Sequence, residues 1–181
     1  LKHNLNIPTV QVTLFINYED ESKVFQTLNI LDKHRYHDDF VSLIKELMRE
    51  DLFHVKNTMN NPKEIIDYLC DELIEKGLAT QSYKEDVFRR EAVSATSFVN
   101  GFAVPHSIEV SANESCISTL ILDKPVIWGG FEVKLIILLA IRETDNHLLK
   151  IFFDWLSSIV SDSNKFTQLL EVREHQEFIR Y

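Results

Sequence analysis

The sequence predicts an α/β fold in which a mixed β-sheet is sandwiched between helices. Residues 135–141 form a continuously apolar run, as expected for a central strand covered on both faces. The Gly129-Gly130 pair stands between two β-rich segments and predicts a hairpin, because glycine permits the positive φ that short hairpin turns need. Segments with helical and strand periodicity are interspersed along the 181 residues, a length that accommodates one domain with a substantial core and a small appendage.

The chain is acidic, which restricts the partners that this surface binds. Its 28 acidic and 19 basic side chains give a formal net charge of -9. A nucleic-acid-binding surface needs a basic stripe, so we expect no direct nucleic-acid contact by this fragment. No segment approaches the roughly 20 apolar residues of a membrane span, and no signal peptide is recognisable. Cys70 and Cys116 lie in apolar contexts typical of reduced, buried thiols, so we expect a cytoplasmic protein.

Residues 1–36 lie before the better-defined unit and form a predicted N-terminal extension. Residues 10–16 are β-rich and predict a strand, and residues 24–31 carry apolar side chains at helical spacing. A second unit, residues 37–181, contains the remaining predicted elements. The sequence opens at Leu1 without a methionine, and we expect it to be a fragment of a longer chain.

The first half of the 37–181 unit is predicted to be mainly helical. Residues 37–50 carry one apolar helical stripe, and residues 51–60 predict a strand or an irregular connector. Asn61 and Pro62 predict a helix start, and Gly77 predicts its end. Ser82 is predicted to cap a second short helix, with Val87 and Phe88 directed inward.

The second half supplies most of the sheet. Strands are predicted at 116–122, at 126–128 and 131–133 as a hairpin, and at 135–141. Thr144 and Asp145 are predicted to cap a helix over 146–161, whose inner stripe is Phe152, Trp155, Leu156 and Ile159. Residues 163–170 and 173–181 predict two final short helices.

The stretch from Arg90 to His106 holds the strongest functional signal. His106 directly follows Pro105, which fixes its own φ and favours an extended Val104. A stiff backbone of this kind suits an imidazole that repeatedly presents one ring nitrogen to a partner.

Several residues of this stretch resemble a known phosphorylation-site signature. The signature is that of the enzyme IIA domain of the fructose/mannitol class (EIIA type 2) of the bacterial phosphoenolpyruvate-dependent sugar phosphotransferase system (PTS), and the matching residues are Arg90, Glu91, Thr96, Asn100, Gly101, Ala103, Pro105 and His106. The resemblance continues through Trp128-Gly129, 133–141 and 145–148. The C-terminal segments 151–162 and 177–179 are similar to IIA domains fused to PRD-containing transcription regulators of the BglG/MtlR type.

The resemblance implies the mannitol-type IIA fold and a set of site residues. His106 is the implied phosphoacceptor, and phospho-HPr is the implied donor. His147, in the first turn of a helix, is implied to orient or stabilise the site, and Arg90 is implied to meet the phosphate charge. Each of these residues also has an ordinary structural alternative. His106 could cap a strand, and His147 could be a solvated polar residue. Arg90 could be a surface arginine paired with Glu91 or Asp86.

Three further residues are weaker binding candidates. Thr96 and Asn100 are expected either to bind phosphate or to stabilise the loop through hydroxyl and Asx turns. Ser107 is a hydroxyl donor one residue beyond His106.

No cofactor or metal is expected. Two histidines lie close together in the sequence, His34 and His37, and Asp38 and Asp39 follow them. Beyond the two histidines, the spacing indicates no third metal ligand. There is also no G-x-S-x-G elbow, P-loop or Rossmann glycine pattern.

Three functional hypotheses remain. The first is a regulatory IIA domain whose phosphorylation by HPr reports sugar status to DNA- or RNA-binding domains upstream in the parent chain; residues 1–36 would then be the tail of a IIB-like module. The second is a transport IIA that passes phosphate to a IIB partner. The third is a non-phosphorylated binding module, motivated by Ser97-Phe98-Val99 standing where many family members have glycine-rich turns.

Overall fold

A five-stranded mixed sheet organises the part of the chain that the computed structural model describes, which is residues 42–56, 59–109 and 111–181. The strand order is β1-β4-β5-β3-β2. The strands are β1 (Met48–Lys56), β2 (Ser97–Phe98), β3 (Phe102–Ala103), β4 (Ser111–Trp128) and β5 (Phe131–Arg142). The predicted elements and boundary within residues 1–36, and the histidine cluster at 34–39, lie outside the described residues.

Both parallel and antiparallel pairings occur in this sheet. β4 and β5 form the antiparallel hairpin, whereas β1 pairs parallel to β4 and β3 pairs parallel to β5. The predicted turn is confirmed: Trp128 pairs with Phe131, and Gly129 and Gly130 have φ of 57° and 92°.

Helices cover the sheet, and β5 lies at its centre. The helices are α1 (42–47), α2 (Pro62–Glu75), α3 (Gln81–Val93), α4 (His147–Val160), α5 (Ser163–Leu169) and α6 (His175–Phe178). Alternate residues of β5 belong to the core cluster that contains α2 and α3, namely Ile136, Leu138 and Ala140. The intervening residues point to the opposite face and are also buried, namely Leu135, Ile137, Leu139 and Ile141. The predicted fold class is therefore confirmed.

The prediction for residues 37–50 was wrong at its C-terminal end. The helix ends at residue 47, and the next nine residues form β1. Met48 and Leu52 are buried in this strand, while Glu50 and Asp51 are exposed. Met48 thus continues the apolar spacing of the preceding helix in the sequence, but its side chain is buried as part of the sheet.

Helix caps were only partly predictable. The start of α2 is confirmed, since the side chain of Asn61 accepts a hydrogen bond from the backbone N–H of Glu64. Gly77 follows this helix with a φ of 73°. Helix α3, in contrast, is capped by Thr80 rather than Ser82.

The predicted cap of α4 was also wrong. Residues Glu143–Asp145 form a 3₁₀ turn, and α4 begins after Asn146 without a side-chain cap. The Asp145 carboxylate instead accepts hydrogen bonds from Ser115 Oγ (2.5 Å) and Arg142 Nε (2.9 Å). The predicted inner stripe of α4 is buried.

Among the described helices, none combines the length and the apolar character needed to cross a lipid bilayer.

Candidate phosphoacceptor site

His106 lies beside the central strand, just beyond the end of β3. It forms a parallel bridge with Leu139 of β5, and the backbone N–H of Leu139 donates to the carbonyl of Pro105 at 3.0 Å. Five residues upstream of His106, the Gly101 carbonyl accepts hydrogen bonds from Lys134 and Leu135. The backbone of this half-buried histidine is therefore held against the same strand that continues towards α4.

Hydrogen bonding fixes the tautomer of His106. Its Nδ1 lies 2.8 Å from the carbonyl oxygen of Val104. A carbonyl only accepts, so Nδ1 carries the proton, and Nε2 of the neutral ring keeps its lone pair. Nε2 is therefore the nucleophilic atom of this imidazole.

Arg90, near the C-terminal end of α3, contacts the Nε2 atom of His106. Its Nε donates to Nε2 of His106 at 3.2 Å, while a terminal nitrogen donates to the carbonyl of Ser94 at 2.9 Å. The neighbouring Arg89 is engaged elsewhere, with the carboxylate of Asp86. A guanidinium group, whose geometry suits phosphate oxygens, is thus placed at the nucleophilic ring nitrogen.

A cavity of about 370 Å³ opens at this pair. Its lining residues are Arg90, His106, Ser107, Ile108, Leu139, Ile141, Asn146 and Leu149. The cavity thus joins the end of β5, the start of α4 and the two side chains of the His106–Arg90 contact.

Glu91 turns away from His106 and binds the loop that follows α3. Its carboxylate accepts hydrogen bonds from the Thr96 backbone N–H (3.0 Å), the Thr96 hydroxyl (2.7 Å) and the Trp128 indole N–H (2.5 Å). The hydroxyl of Thr96, which is buried, is therefore directed to Glu91 rather than into the cavity. The Thr96 carbonyl accepts from the N–H of Val104 at 3.0 Å.

The remaining predicted site residues occupy different places. Ser107 lines the cavity, but its hydroxyl donates to the carbonyl of Glu109. Asn100 is exposed in the turn between β2 and β3 and lines a second cavity. His147 is exposed at the first position of α4 and lies outside the lining set, although its neighbour Asn146 belongs to it.

The Ser97-Phe98-Val99 segment also faces away from the cavity at His106. Phe98 and Phe102 stack at 4.6 Å and line the second cavity, of about 390 Å³, together with residues of α4. Ser97 Oγ donates to the carbonyl of Trp128 at 2.7 Å. Phe98 and Val99 are 44% and 76% exposed, so this segment forms an apolar surface of its own.

The sequence did not predict the supporting roles of two residues on α3. The buried Asp86 carboxylate accepts the backbone N–H of Glu109 at 2.7 Å, which ties α3 to the segment after His106. The buried Tyr83 hydroxyl donates to the carbonyl of Leu139 at 2.8 Å. Tyr83, Asp86, Val87 and Arg90 share one helical face by their spacing, and an acid in such a stripe is the signal that points to Asp86.

Several groups titrate away from their ordinary values. Burial raises the pKa of each thiol, Cys70 and Cys116, to about 12. Burial also raises the pKa of Tyr83 well above its ordinary value, so its hydroxyl stays protonated. Hydrogen bonds from Ser115 and then Arg142 lower the pKa of Asp145.

The described residues contain no group of three or more His, Cys, Asp and Glu side chains arranged to hold a metal ion.

Relatives of the chain include both regulators and a phosphotransferase enzyme IIA component. It is 24% identical over 177 residues to the probable licABCH operon regulator of Bacillus subtilis, covering 98% of this chain and 26% of the regulator. The mannitol-specific phosphotransferase enzyme IIA component of Halalkalibacterium halodurans is 30% identical over 141 residues, covering 75% of this chain and 93% of that protein. The chain thus spans about a quarter of the regulator.

Solved structures share the fold. A putative PTS IIA domain from Streptococcus pyogenes superposes with a TM-score of 0.65 at 18% identity, covering 76% of this chain and 92% of that one. Enzyme IIAMTL of Escherichia coli, solved in complex with phosphorylated enzyme IIBMTL, gives a TM-score of 0.57 at 16% identity, covering 68% and 85%.

The family model for the phosphoenolpyruvate-dependent sugar phosphotransferase system, EIIA 2, matches residues 46–181. This match spans every strand and cavity described above, and the chain therefore belongs to the EIIA type 2 family of the sugar phosphotransferase system.

Proposed function

We propose that this domain accepts a phosphoryl group from phospho-HPr on Nε2 of His106. The observation that carries the proposal is the hydrogen bond from Nδ1 to the Val104 carbonyl, because it reserves the Nε2 lone pair for attack. Arg90 at 3.2 Å supplies positive charge at the same atom, and the adjoining cavity provides room for phosphate.

The transfer exchanges one P–N bond for another. The Nε2 lone pair attacks phosphorus, the P–N bond to the donor imidazole breaks, and its electron pair returns to the donor nitrogen. Arg90 donates to Nε2 before transfer, so its guanidinium must leave the lone pair and turn towards the phosphoryl oxygens. Such catalysis consists mostly of positioning and charge stabilisation.

We assign subsidiary roles to the other site residues. His147 stands at the N-terminus of α4 and would orient or stabilise the phosphate from there. Ser107 contributes to the cavity wall. Thr96 acts through its bonds to Glu91, and Asn100 acts on the loop conformation rather than on the phosphate.

The regulatory role is the better supported of two biological settings. The match to the licABCH regulator covers 98% of this chain, whereas the match to the mannitol IIA component covers 75%. We therefore propose a regulatory domain of a cytoplasmic, sugar-responsive regulator or antiterminator, with residues 1–36 as an extension before a domain at 37–181. Added phosphate charge would then alter docking to upstream domains.

A transport role is the alternative, favoured by the 93% coverage of the mannitol IIA component and by the IIA–IIB complex of a structural neighbour. Transfer of the phosphate from this domain to a purified IIB protein would favour it. A non-phosphorylated binding module is the remaining alternative.

The test is intact mass after incubation with phosphoenolpyruvate, enzyme I and HPr. We expect one acid-labile phosphate on the wild type, none on His106→Ala, and slower formation on His147→Ala and Arg90→Ala. His54→Gln is the matched control, because His54 is bound to Glu72 at 2.6 Å on the β1 side of the sheet. An unphosphorylated wild type beside a control IIA that HPr phosphorylates would refute the carrier function and leave the binding module.

A further inference from the structure

The backbone on which the His106 tautomer depends is itself held by a continuous series of hydrogen bonds that starts at Glu91. Glu91 binds both the N–H and the hydroxyl of Thr96. The Thr96 carbonyl accepts the Val104 N–H at 3.0 Å, and the Val104 carbonyl accepts Nδ1–H of His106 at 2.8 Å.

The acceptor for Nδ1–H is unusually constrained. Val104 precedes Pro105, so its carbonyl belongs to a peptide group without an N–H. The Val104-Pro105 unit is held at both ends, by Thr96 at the Val104 N–H and by Leu139 at the Pro105 carbonyl. Loss of the Thr96 bond would free one of these two ends.

Glu91 is committed to this support. Its oxygens receive the two Thr96 donors and the indole N–H of Trp128, a residue only 1% exposed. Arg90, next to it in sequence, instead contacts His106 and Ser94. Of these two adjacent charged residues, one therefore contacts the reacting ring nitrogen and the other holds the backbone that orients the ring.

We propose that Glu91 is a positioning residue that, through Thr96 and Val104, holds His106 in the tautomer with Nε2 unprotonated. The inference deepens the proposed function, since it names what fixes the nucleophile. Glu91 itself stays out of contact with the phosphate.

The test measures the ring rather than the phosphate. Ring ¹⁵N and ¹H spectra of His106 in the whole chain report the populations of the two neutral tautomers. In Glu91→Ala we expect the population of the Nε2–H tautomer, relative to the Nδ1–H tautomer, to rise about three- to ten-fold. This change corresponds to the loss of the net free energy of roughly one hydrogen bond. Glu91→Gln, which keeps one acceptor oxygen, should recover part of the wild-type ratio.

Two further variants make the result decisive. Glu85→Ala, an exposed acid on the same helix, controls for loss of charge and should leave the tautomer ratio at its wild-type value. Thr96→Val, which removes only the hydroxyl donor, should shift the ratio in the same direction as Glu91→Ala but less. If Glu91→Ala fails to fold, Glu91→Gln and Thr96→Val decide the question.

Phosphoryl transfer gives a second measurement. At saturating phospho-HPr we expect kcat of Glu91→Gln to fall with the share of reactive tautomer, while KM stays within about two-fold because the ring orientation changes and the cavity wall does not. An unchanged tautomer ratio in folded Glu91 variants, or an equal shift in Glu85→Ala, would overturn the proposal. A wild type that takes no phosphate would refute the proposed function alone, since the ring spectra are recorded without phosphate.

Discussion

Two adjacent glycines in the β4–β5 turn allow the energetic cost of backbone strain to be measured separately from the cost of a steric clash. Both have positive φ, 57° at Gly129 and 92° at Gly130. A Cβ at Gly129 would lie 2.4 Å from Ala95 Cβ and 2.7 Å from Ser97 Oγ, whereas a Cβ at Gly130 meets nothing within 4 Å. Gly129→Ala and Gly130→Ala thus form a matched pair.

The expected magnitudes come from these numbers. Placing an L-residue at positive φ costs about 1–2 kcal/mol, so Gly130→Ala should lower the free energy of unfolding by that amount. Gly129→Ala adds overpacking of about 1–3 kcal/mol against the loop after α3. Backbone strain alone predicts the opposite order, because a φ of 92° lies further from the left-handed minimum near 57°.

Urea unfolding followed by circular dichroism measures both variants. Gly129→Ala should be less stable than Gly130→Ala by about 1–3 kcal/mol, equivalent to a melting temperature lower by about 2–12 °C for a domain of this size. Equal stabilities, or a less stable Gly130→Ala, would show that the hairpin tip does not pack on the loop as described.

Three other outcomes are expected. Because the donors Ser115 and Arg142 lower the pKa of Asp145, this carboxylate stabilises the fold above its unfolded pKa of about 3.9, and that stability is lost as pH falls through the lower folded pKa. Asp145→Asn should therefore abolish this part of the pH dependence of the free energy of unfolding, and an unchanged pH dependence below about 3.9 would contradict the expectation. Cys70 and Cys116, buried with a pKa of about 12, should resist a thiol reagent at about pH 8 in the folded protein and both react in denaturant, whereas fast labelling without denaturant would contradict their burial. Tyr83→Phe should cost about 1–3 kcal/mol in urea unfolding, since it leaves the buried Leu139 carbonyl without the hydroxyl donor, and a neutral result would show that this bond adds no stability.

Sequence patterns predicted the features that depend on local chemistry. The Asn61-Pro62 helix start and the diglycine turn are local backbone requirements, and both are confirmed. The apolar run at 135–141 predicted the central strand, because burial on both faces leaves an unmistakable composition.

Features that depend on distant partners were missed. The 37–50 helix ended early because Met48 pairs in the sheet with Ile117. Asp145 does not cap α4, because Ser115, 30 residues away, donates to its carboxylate.

The site shows the same division. The motif identified Arg90 and His106, which the structure brings into contact, but it gave no means of seeing that Thr96 binds Glu91. The helical stripe on α3 singles out Asp86, but it does not reveal that Tyr83 and Asp86 bind backbone groups 56 and 23 residues away.

The edges of the sheet bear on how a phosphoryl donor approaches. Among the described strands the outer ones are β1 and β2, and β2 has only two residues. β1 begins with Met48 followed by the charged run Arg49, Glu50 and Asp51. Short and charged edges are poor templates for an added strand. Under the proposed function, these edges favour a phosphoryl donor that recognises side-chain surfaces of the domain over one that extends its sheet, and such recognition would be open to tuning by single substitutions.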